Sequence, residues 1–404
     1  MKRADLLILG GGPAGATLAG LAADAGARVL LLERHAFPRD KPCGEFLSVE
    51  GRGVLERLGV LGTLLDLGAT WMDSVRVTSL GGHEVTASLP HLPGLGRLAL
   101  GVSRRALDAT LLLRAQSAGA CVMEQAEAVL PIVEGGRVMG VRFRRVGSAG
   151  PEESALARVV VAADGRRSFL VRTLHPRLGD PCRSFPGSWF GLKAHMDADP
   201  ARLERRVELH LFNGGYAGLS SVEGSKINLC LLVTVRALRG LAGSPDRLLH
   251  ECILENPAIR DRLARASRCS PWKSIGPLRF GPRRATAAGA LLVGDAAGTV
   301  DPFCGEGIAH ALRGAEIALP FALEGAARGR LTSDLAAGYR DAWHRAFGPA
   351  TRRVRWLGRL LQRHRPAGQV IRAFSRMRGQ LVTSLVASTR TGLSAVSHLE
   401  RLTD

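Results

Sequence analysis

The first 32 residues show apolar stretches in the order of a strand, a helix and a second strand. Residues 5–9, DLLIL, form a short apolar run of the kind that buried parallel strands contain. Residues 16–25 are rich in alanine and leucine and predict a helix, which Gly26 ends. Residues 28–32 are again mostly apolar, so the pattern predicts a β–α–β unit at the start of the chain.

Later apolar patterns predict a second kind of sheet. Residues 159–163 and 290–293 are short apolar runs that resemble the first strands. Residues 206–212 and 227–235 alternate or run apolar with β-branched residues and are separated by glycines, which is typical of antiparallel strands. From residue 331 onward the pattern is helical. The order of elements therefore predicts an α/β protein with an additional antiparallel sheet.

A glycine-rich loop joins the first predicted strand to its helix. Residues 10–15, GGGPAG, fit the pattern GxGxxG, and the second strand ends at Glu33. Gly10 permits the tight turn, Gly12 lets the backbone approach a pyrophosphate at the start of the helix, and Gly15 allows close packing. The Glu33 carboxylate can accept hydrogen bonds from ribose hydroxyls. This spacing predicts a site for an adenine dinucleotide, either NAD or FAD.

A second glycine–acid motif favours FAD. Residues 290–293 lead into GDAAG (residues 294–298), where an aspartate directly after a strand suits a sugar or ribityl hydroxyl. The predicted helix that opens at residues 305–308 offers free N–H groups and a positive dipole end, which would stabilise negative charge on the N1/O2 edge of a reduced flavin. A third piece, ADG at residues 163–165, follows another predicted strand.

Taken together, these motifs resemble FAD-dependent enzymes of the p-hydroxybenzoate hydroxylase fold, and the chain is most similar to the geranylgeranyl-reductase-like branch. FPRDKPCGE (residues 37–45), RRALD (residues 104–108) and GDAAGTVDPFCGEGIAHAL (residues 294–312) carry the resemblance. It implies an α/β fold of the GR2 type, with a Rossmann-type FAD-binding domain, an antiparallel β-sheet substrate domain and a helical C-terminus. It also assigns FAD contacts to Gly10, Gly12, Pro13, Ala14, Gly15, Glu33, Arg34, Arg104, Asp164, Gly294, Asp295, Pro302, Gly305, Gly307 and Ile308.

The resemblance implies a discontinuous domain layout. The FAD-binding domain is expected in residues 1–75, 100–175 and 276–330. The substrate-binding sheet is expected in residues 76–99 and 176–275, and a C-terminal helical region in residues 331–404.

Three residues are candidates for catalysis, each with a structural alternative. Cys43 lies in PCGE, where the resemblance implies a cysteine near flavin and substrate; its thiol is either a proton donor or a small packed side chain. Tyr216 lies between glycines of the predicted sheet and either orients a substrate carbonyl or hydroxyl or packs across strands. Glu306 is either a general base or an acid favoured by the dipole of the following helix.

Composition narrows the partners. The 404 residues include 55 basic and 36 acidic side chains, a net charge of +19, but the excess is mostly arginine late in the chain and only two tyrosines are present, so nucleic acid is not an expected partner. No apolar run reaches the roughly 18 residues of a membrane-spanning helix, and the N-terminus does not resemble a secretory signal. Seven cysteines form no CxxC pair, and no histidine pattern predicts a metal site. We therefore expect a cytoplasmic protein without a metal.

The C-terminal region is strongly basic. Eleven arginines against one acid occur between Arg340 and Arg378, with leucines and a valine at helical spacing among them. Such a segment either makes peripheral contact with an anionic membrane surface or forms the solvated face of a helix that packs on the protein.

The leading hypothesis from the sequence is an NAD(P)H-driven FAD monooxygenase of specialised metabolism. Reduced flavin would trap oxygen as a C4a-hydroperoxide near Pro302 and residues 305–308, and would oxygenate a hydrophobic small molecule. The alternative is a geranylgeranyl-reductase-like enzyme that transfers hydride to a double bond of an isoprenoid or polyene, with Cys43 near the point of proton delivery. A halogenase and a non-catalytic flavoprotein are more distant alternatives, and the oligomeric state is left open.

Overall fold

The computed structural model of this protein describes residues 1–148, 150–174, 188–278, 280–282, 284–361, 369, 371 and 372. Its strands in chain order are β1 (Lys2–Leu9), β2 (Val29–Leu32), β3 (Phe46–Leu47), β4 (Thr70–Met72), β5 (Ser74–Thr78), β6 (Glu84–Ser88), β7 (Ala99–Gly101), β8 (Cys121–Met123), β9 (Ala126–Glu134), β10 (Arg137–Arg145), β11 (Glu153–Ala162), β12 (Trp189–Asp197), β13 (Arg206–Phe212), β14 (Gly215–Val222), β15 (Lys226–Thr234), β16 (Ser267–Arg268), β17 (Lys273–Leu278), β18 (Gly281–Pro282), β19 (Thr286–Ala287), β20 (Ala290–Leu292) and β21 (Gly298–Thr299).

The α-helices connect and cover these strands. In chain order they are α1 (Pro13–Asp24), α2 (Val49–Arg57), α3 (Leu61–Asp66), α4 (Arg104–Ser117), α5 (Phe169–Leu174), α6 (Val235–Gly240), α7 (Pro245–Leu248), α8 (Pro257–Leu263), α9 (Gly307–Ala327) and α10 (Ser333–Leu361). Short 3-10 turns at Gly294–Ala296 and Pro302–Cys304 separate β20 from α9.

The first sheet has a parallel centre, with strand order β20, β11, β1, β2, β8. Every residue of β2 is buried, as expected for a parallel strand covered on both faces. Helix α1 packs against α4 and α9, and strands β9 and β10 extend the sheet as an antiparallel ribbon beside β11. The predicted β–α–β unit at the chain start is therefore present, with its helix beginning at Pro13.

The second sheet is mostly antiparallel, in the order β16, β12, β15, β14, β13, β5, β6, with β17 also paired to β12. One face carries an apolar cluster that includes Leu192, Leu229 and Leu231, and this cluster packs against Ile259 and Leu263 of α8. The opposite face lies towards the first sheet. Side chains on successive residues of a strand alternate between these faces, so each strand contributes to both.

Two of the predicted domain boundaries fall inside strands of the second sheet. The boundary after residue 75 falls inside β5, and the boundary before residue 276 falls inside β17. Both strands lie beside other strands of that sheet, because β5 pairs with β13 and β17 pairs with β12. The domain layout that the resemblance implies stays a prediction at these two points.

Helix α9 packs against the long helix α10 through aromatic contacts. The ring of His310 stacks on Phe347 with ring centroids 3.8 Å apart, and the hydroxyl of Tyr339 donates to the carbonyl of Leu292 at 2.8 Å. No helix in the described part of the chain is both long and apolar enough to cross a bilayer. Most of the basic segment after residue 361 lies outside the described residues, so both alternatives, contact with a membrane surface and a solvated helix face, stay open.

Candidate functional site

A cavity of about 350 Å³ lies between the glycine-rich loops of the first sheet and one face of the second. The first side contributes residues of the loops after β1, β2 and β20. The second side is largely apolar. Its walls include Val75, Val77, Val85, Val207, Leu209, Tyr216, Cys230, Leu232, Ile275 and Leu278.

The loop after β1 can only be built with glycine at two positions. Gly10 has φ +100°, and a Cβ atom there would lie 2.7 Å from the carbonyl oxygen of Ala163. A Cβ on Gly15 would lie 1.9 Å from the Gly10 oxygen. Gly12, the residue before α1, differs because a Cβ there would approach only Arg39, at 3.9 Å. Open space therefore lies in front of the free N–H groups of this helix, where a diphosphate fits.

Glu33 anchors the end of β2. Its Oε2 accepts a hydrogen bond from the Gly11 N–H and its Oε1 one from the His35 N–H, both at 2.8 Å. Carboxylate oxygens accept more than one hydrogen bond, so ribose hydroxyls can still bind. Arg34, by contrast, is exposed and donates from Nε to His35 at 3.0 Å, so no described contact brings its side chain to the cavity.

Two cations that the sequence analysis did not single out lie beside the open space. Arg39 is the neighbour of Gly12, and Lys41 lines the cavity with its Nζ 3.7 Å from the Cβ position of Gly165. Burial in the cavity wall, with Arg104 and Arg39 nearby, lowers the pKa of Lys41 to about 8. Neighbouring positive charges disfavour the charged form of Lys41, and a bound anion would favour it again. These residues therefore fit a diphosphate. The basic residues that follow Glu33 in the sequence, which include Arg39 and Lys41, are the pattern from which these two cations could have been predicted.

Arg104 lies at the N-terminus of α4 and lines the cavity. Its Nε and Nη2 donate to the two carboxylate oxygens of Asp108, both at 2.7 Å, and Asp108 also accepts from Arg39 at 2.8 Å. Burial opposes the charge on Arg104, but Asp108 outweighs it and holds the pKa above its usual value. The arginine therefore stays charged at the cavity wall.

The other two glycine–acid motifs have different places in the structure. Asp295 and Gly294 line the cavity from the turn after β20. Asp164 is not among the lining residues, although Ala163 and Gly165 on either side are. Its Oδ2 accepts from the Phe169 N–H at 2.6 Å at the start of α5, and its buried Oδ1 has no hydrogen-bond partner among the described residues. Burial raises the pKa of Asp164. Its side chain therefore secures α5.

The loop before α9 brings Pro302, Gly305, Gly307 and Ile308 to the cavity. Gly305 has φ +67°, and a Cβ there would lie 2.6 Å from the ring of Phe46, whereas a Cβ on Gly307 would meet nothing within 4 Å. The helix start is thus open to the cavity, as a flavin ring edge would need.

Glu306, predicted as a base or a dipole-favoured acid, is buried directly before α9. It is absent from the described cavity lining. Burial lowers the pKa of Arg313 on the same helix, and the charge of Glu306 opposes that effect. These contacts favour the interpretation of Glu306 as an acid at the helix start.

Cys43 and Tyr216 both line the cavity. The Cys43 sulfur accepts a hydrogen bond from the Glu45 N–H at 3.4 Å and contacts the Arg104 side chain. The ring of Tyr216 packs edge-on against Phe303 with centroids 5.4 Å apart. Burial and nearby Asp301 raise the pKa of Tyr216 well above its usual value, so its hydroxyl stays protonated. Cys43, Cys230 and Cys304 all line the cavity, and Cys43 is the one whose sulfur contacts Arg104 among the described residues.

Comparison with known proteins is consistent with this geometry. Residues 3–346 match a family described as FAD binding domain. Digeranylgeranylglycerophospholipid reductase 2 of Methanopyrus kandleri is 30% identical over 349 residues, which cover 85% of this chain and 83% of that protein. Menaquinone reductase of Mycobacterium tuberculosis is 29% identical over 363 residues, which cover 86% of this chain and 83% of that protein.

A solved structure extends the comparison to the fold. The myxobacterial chondrochloren halogenase CndH superposes with a TM-score of 0.75 at 24% sequence identity, covering 100% of this chain and 89% of that one. At this identity the likeness shows the fold alone. It confirms the mixed α/β architecture that the sequence predicted, and the family match confirms the predicted resemblance to FAD-dependent enzymes.

Proposed function

This chain belongs to the FAD binding domain family and is an FAD-dependent oxidoreductase, and from that premise we propose that it reduces a carbon–carbon double bond of a hydrophobic molecule. Electrons would come from NAD(P)H. The observation that carries the proposal is the Cys43 thiol at the cavity wall, in contact with the Arg104 side chain.

FAD fits the residues described above. Gly12, Arg39 and Lys41 would hold its diphosphate, Glu33 its adenosine ribose, and the open start of α9 its flavin ring. When bound, FAD supplies hydride transfer, and the protein supplies binding, orientation and protection from water.

Saturating a double bond also requires a proton. Cys43 holds one at Sγ on the cavity wall, and giving it to the second carbon of the double bond leaves a thiolate next to Arg104. A proton from solvent then restores the thiol. Tyr216 stays neutral, so its role is to donate a hydrogen bond to a substrate oxygen rather than to ionise.

The walls of the second sheet determine which molecules enter. Valine and leucine side chains from β5, β6, β13 and β15 form an apolar surface, which binds hydrocarbon and excludes water. The curated relatives named above are reductases whose names refer to geranylgeranyl lipids and menaquinone. These relatives favour a substrate with a long apolar chain.

The same dry cavity favours a second candidate, an NAD(P)H-driven monooxygenase. Oxygen transfer from a flavin needs protection from water, which these walls provide. In that case Cys43 would pack without exchanging a proton, and the hydrophobic molecule would gain an oxygen atom.

Anaerobic re-oxidation of the flavin separates the two candidates. The FAD-loaded protein is reduced and then mixed, without oxygen, with a geranylgeranyl lipid, whose reducible groups are its double bonds. We expect the visible absorbance of oxidised flavin to return and the product to carry two additional hydrogens. If the flavin stays reduced without oxygen, and substrate instead stimulates NAD(P)H-dependent oxygen uptake, the monooxygenase is correct. A protein that binds no FAD at all would contradict both candidates.

A further inference from the structure

The loop that carries Cys43 is bonded directly to the second sheet. The Oγ of Ser220 on β14 donates to the carbonyl oxygen of Gly44 at 2.8 Å. The Nδ2 of Asn228 on β15 donates to the carbonyl oxygen of Cys43 at 3.1 Å. Both side chains are buried. Two strands of the second sheet therefore hold two consecutive peptide groups of the loop that follows β2 of the first sheet.

The next residue of the loop is held by charge. Glu45 has no solvent exposure, and its Oε1 accepts from the Arg104 N–H at 2.8 Å. The same oxygen pairs with Nζ of Lys193, and Oε2 pairs with Nε2 of His195 at 2.8 Å. Lys193 is 1% exposed and also reaches Asp40 at 2.6 Å. Every charge in this buried group therefore has a described partner of opposite charge or a hydrogen bond.

Strand register explains why these side chains converge. His195 pairs with Asn228, and Asn228 pairs with Ser220, across β12, β15 and β14. Lys193 lies two residues before His195 and therefore on the same face. Paired residues of antiparallel strands point to the same side, so the four form a polar corner on the cavity face. We call Glu45, Lys193, His195, Ser220 and Asn228 the polar latch.

The latch holds the loop in a conformation that the backbone does not prefer. Glu45 has φ +53°, in the left-handed region. A residue other than glycine in that region is strained and persists only where its surroundings fix it. Burial lowers the pKa of Lys193, but Glu45 and Asp40 outweigh it and keep the pKa above its usual value. Lys193 is thus a permanent charge that holds Glu45 in place.

We propose that the polar latch is a positioning device for Cys43, which fixes the thiol at the cavity wall between Arg104 and the substrate. The proposal rests on the proposed role of Cys43 in proton delivery. The residues of the polar latch are absent from the described cavity lining and act on Cys43 through the loop. They are therefore positioning residues.

Alkylation of Cys43 in the FAD-loaded protein tests this without turnover. A brief pulse of N-ethylmaleimide is followed by peptide mass spectrometry, with exposed Cys121 as the internal standard. Because a hydrogen bond to a charged group contributes about 1.5–3 kcal/mol, we expect Glu45→Gln to raise the Cys43 alkylation rate about tenfold relative to Cys121. Ser220→Ala, which removes one neutral bond, should raise it about threefold, and Ser220→Thr, which keeps the hydroxyl, should restore the original rate.

The matched control is Glu208→Gln, a buried glutamate with a histidine and a cation on the opposite face of the same sheet. We expect it to leave the Cys43 rate unchanged. Equal acceleration in Glu45→Gln and Glu208→Gln would indicate general loosening and overturn the proposal, and so would an unchanged rate in both Glu45→Gln and Ser220→Ala. If Glu45→Gln does not fold, the alkylation rates of Ser220→Ala and Ser220→Thr test the proposal.

Turnover gives an independent reading. In Ser220→Ala we expect kcat to fall while KM is unchanged, since the substrate walls are intact. If Cys43→Ala turns over normally, the proposed role of Cys43 fails, but the alkylation rates still decide whether the latch holds this loop.

Discussion

Two glutamates with no solvent exposure lie on opposite sides of the second sheet. Glu208 is part of the sheet and Glu45 belongs to a loop that packs on its other face, and each bonds to a histidine and a cation. Glu208 pairs with Nε2 of His210 at 3.1 Å and with Nη2 of Arg262 at 3.0 Å. Glu45 pairs with His195 and Lys193. The Glu208 group joins β13 to α8, the helix that covers that face. The Glu45 group joins the sheet to a loop of the other sheet at the cavity.

The two groups have similar chemistry but different roles. The role of a buried ion pair therefore depends on which parts of the fold it connects. Burial raises the pKa of Glu208, but the bonds from His210 and Arg262 outweigh it and bring the pKa down to about 2. Because this is below the usual 4.5, the carboxylate stabilises the fold above pH 4.5 and loses that contribution as the pH falls towards 2. The Glu208 group is a stability element, whereas the polar latch fixes a loop at the site.

The largest expected effect is on stability, from Glu208→Ala. It would leave Arg262 and Arg76 near one another without their buried counter-charge, and His210 without its hydrogen-bond acceptor, which costs about 3–5 kcal/mol. Chemical denaturation measures the loss. The control is Glu84→Ala, which removes a half-exposed partner of Arg76 and should cost less than about 1 kcal/mol. If the folded Glu208→Ala protein lost FAD or its protection of Cys43, the contrast between the two faces would be wrong.

The sequence predicted the parts of the site that depend on local pattern. The β–α–β unit, the glycines at 10, 12 and 15, and the loop at residues 302–308 follow from short motifs, because a tight turn and an open helix start each need particular residues within a few positions. Glu33 was predictable for the same reason, since it ends the strand next to the glycine loop.

The polar latch was not predictable in this way. Lys193 and Glu45 are 148 positions apart, and only the pairing of sheet and loop brings them together. Lys193 and His195 alternate with apolar residues along β12, a pattern that predicts one polar face of a strand. Such a pattern does not distinguish a face in water from a face against a buried loop. Arg34 illustrates a different limit, because the resemblance assigned it to the cofactor while its exposed side chain bonds to His35, and no local pattern indicates where such a side chain points.

The second largest effect is expected on turnover, from Cys43→Ala at the cavity wall. Loss of a proton donor typically slows a reaction by about 10²-fold or more, so we expect product formation to fall by at least that factor. Stability should change little, because the side chain is small and half-buried. Product formation is followed by mass spectrometry under the anaerobic conditions described above.

Cys230→Ala is the matched control for that experiment. Cys230 also lines the cavity, but burial raises the pKa of its thiol from the usual 9 to about 12, so it is a poor proton donor. We expect near-normal turnover. Equal losses in the two variants would mean that the cavity responds to volume rather than to the Cys43 proton.

A smaller effect is expected at the cofactor end of the cavity, from Lys41→Met. Charge-assisted hydrogen bonds contribute about 1.5–3 kcal/mol, so FAD binding should weaken about tenfold or somewhat more, as measured by fluorescence titration of the FAD-free protein. The pKa of Lys41 is lowered to about 8, and the charged form binds the diphosphate. FAD affinity should therefore fall as the pH rises above 8, and the Lys41→Met protein should lack this fall. An identical pH dependence in both proteins would remove Lys41 from the cofactor site.

The smallest expected effect separates the two interpretations of Tyr216, which lies on the cavity face of the sheet that carries Glu208 on its other face. Tyr216→Phe keeps the edge-on contact with Phe303 and removes only the hydroxyl, so stability should be unchanged. If the hydroxyl donates to a substrate oxygen, the loss of one hydrogen bond, about 1 kcal/mol, should raise KM about fivefold and leave kcat nearly constant. A substrate analogue without that oxygen should bind both proteins equally. An unchanged KM for the oxygen-bearing substrate would leave the ring as a packing element on this face of the sheet.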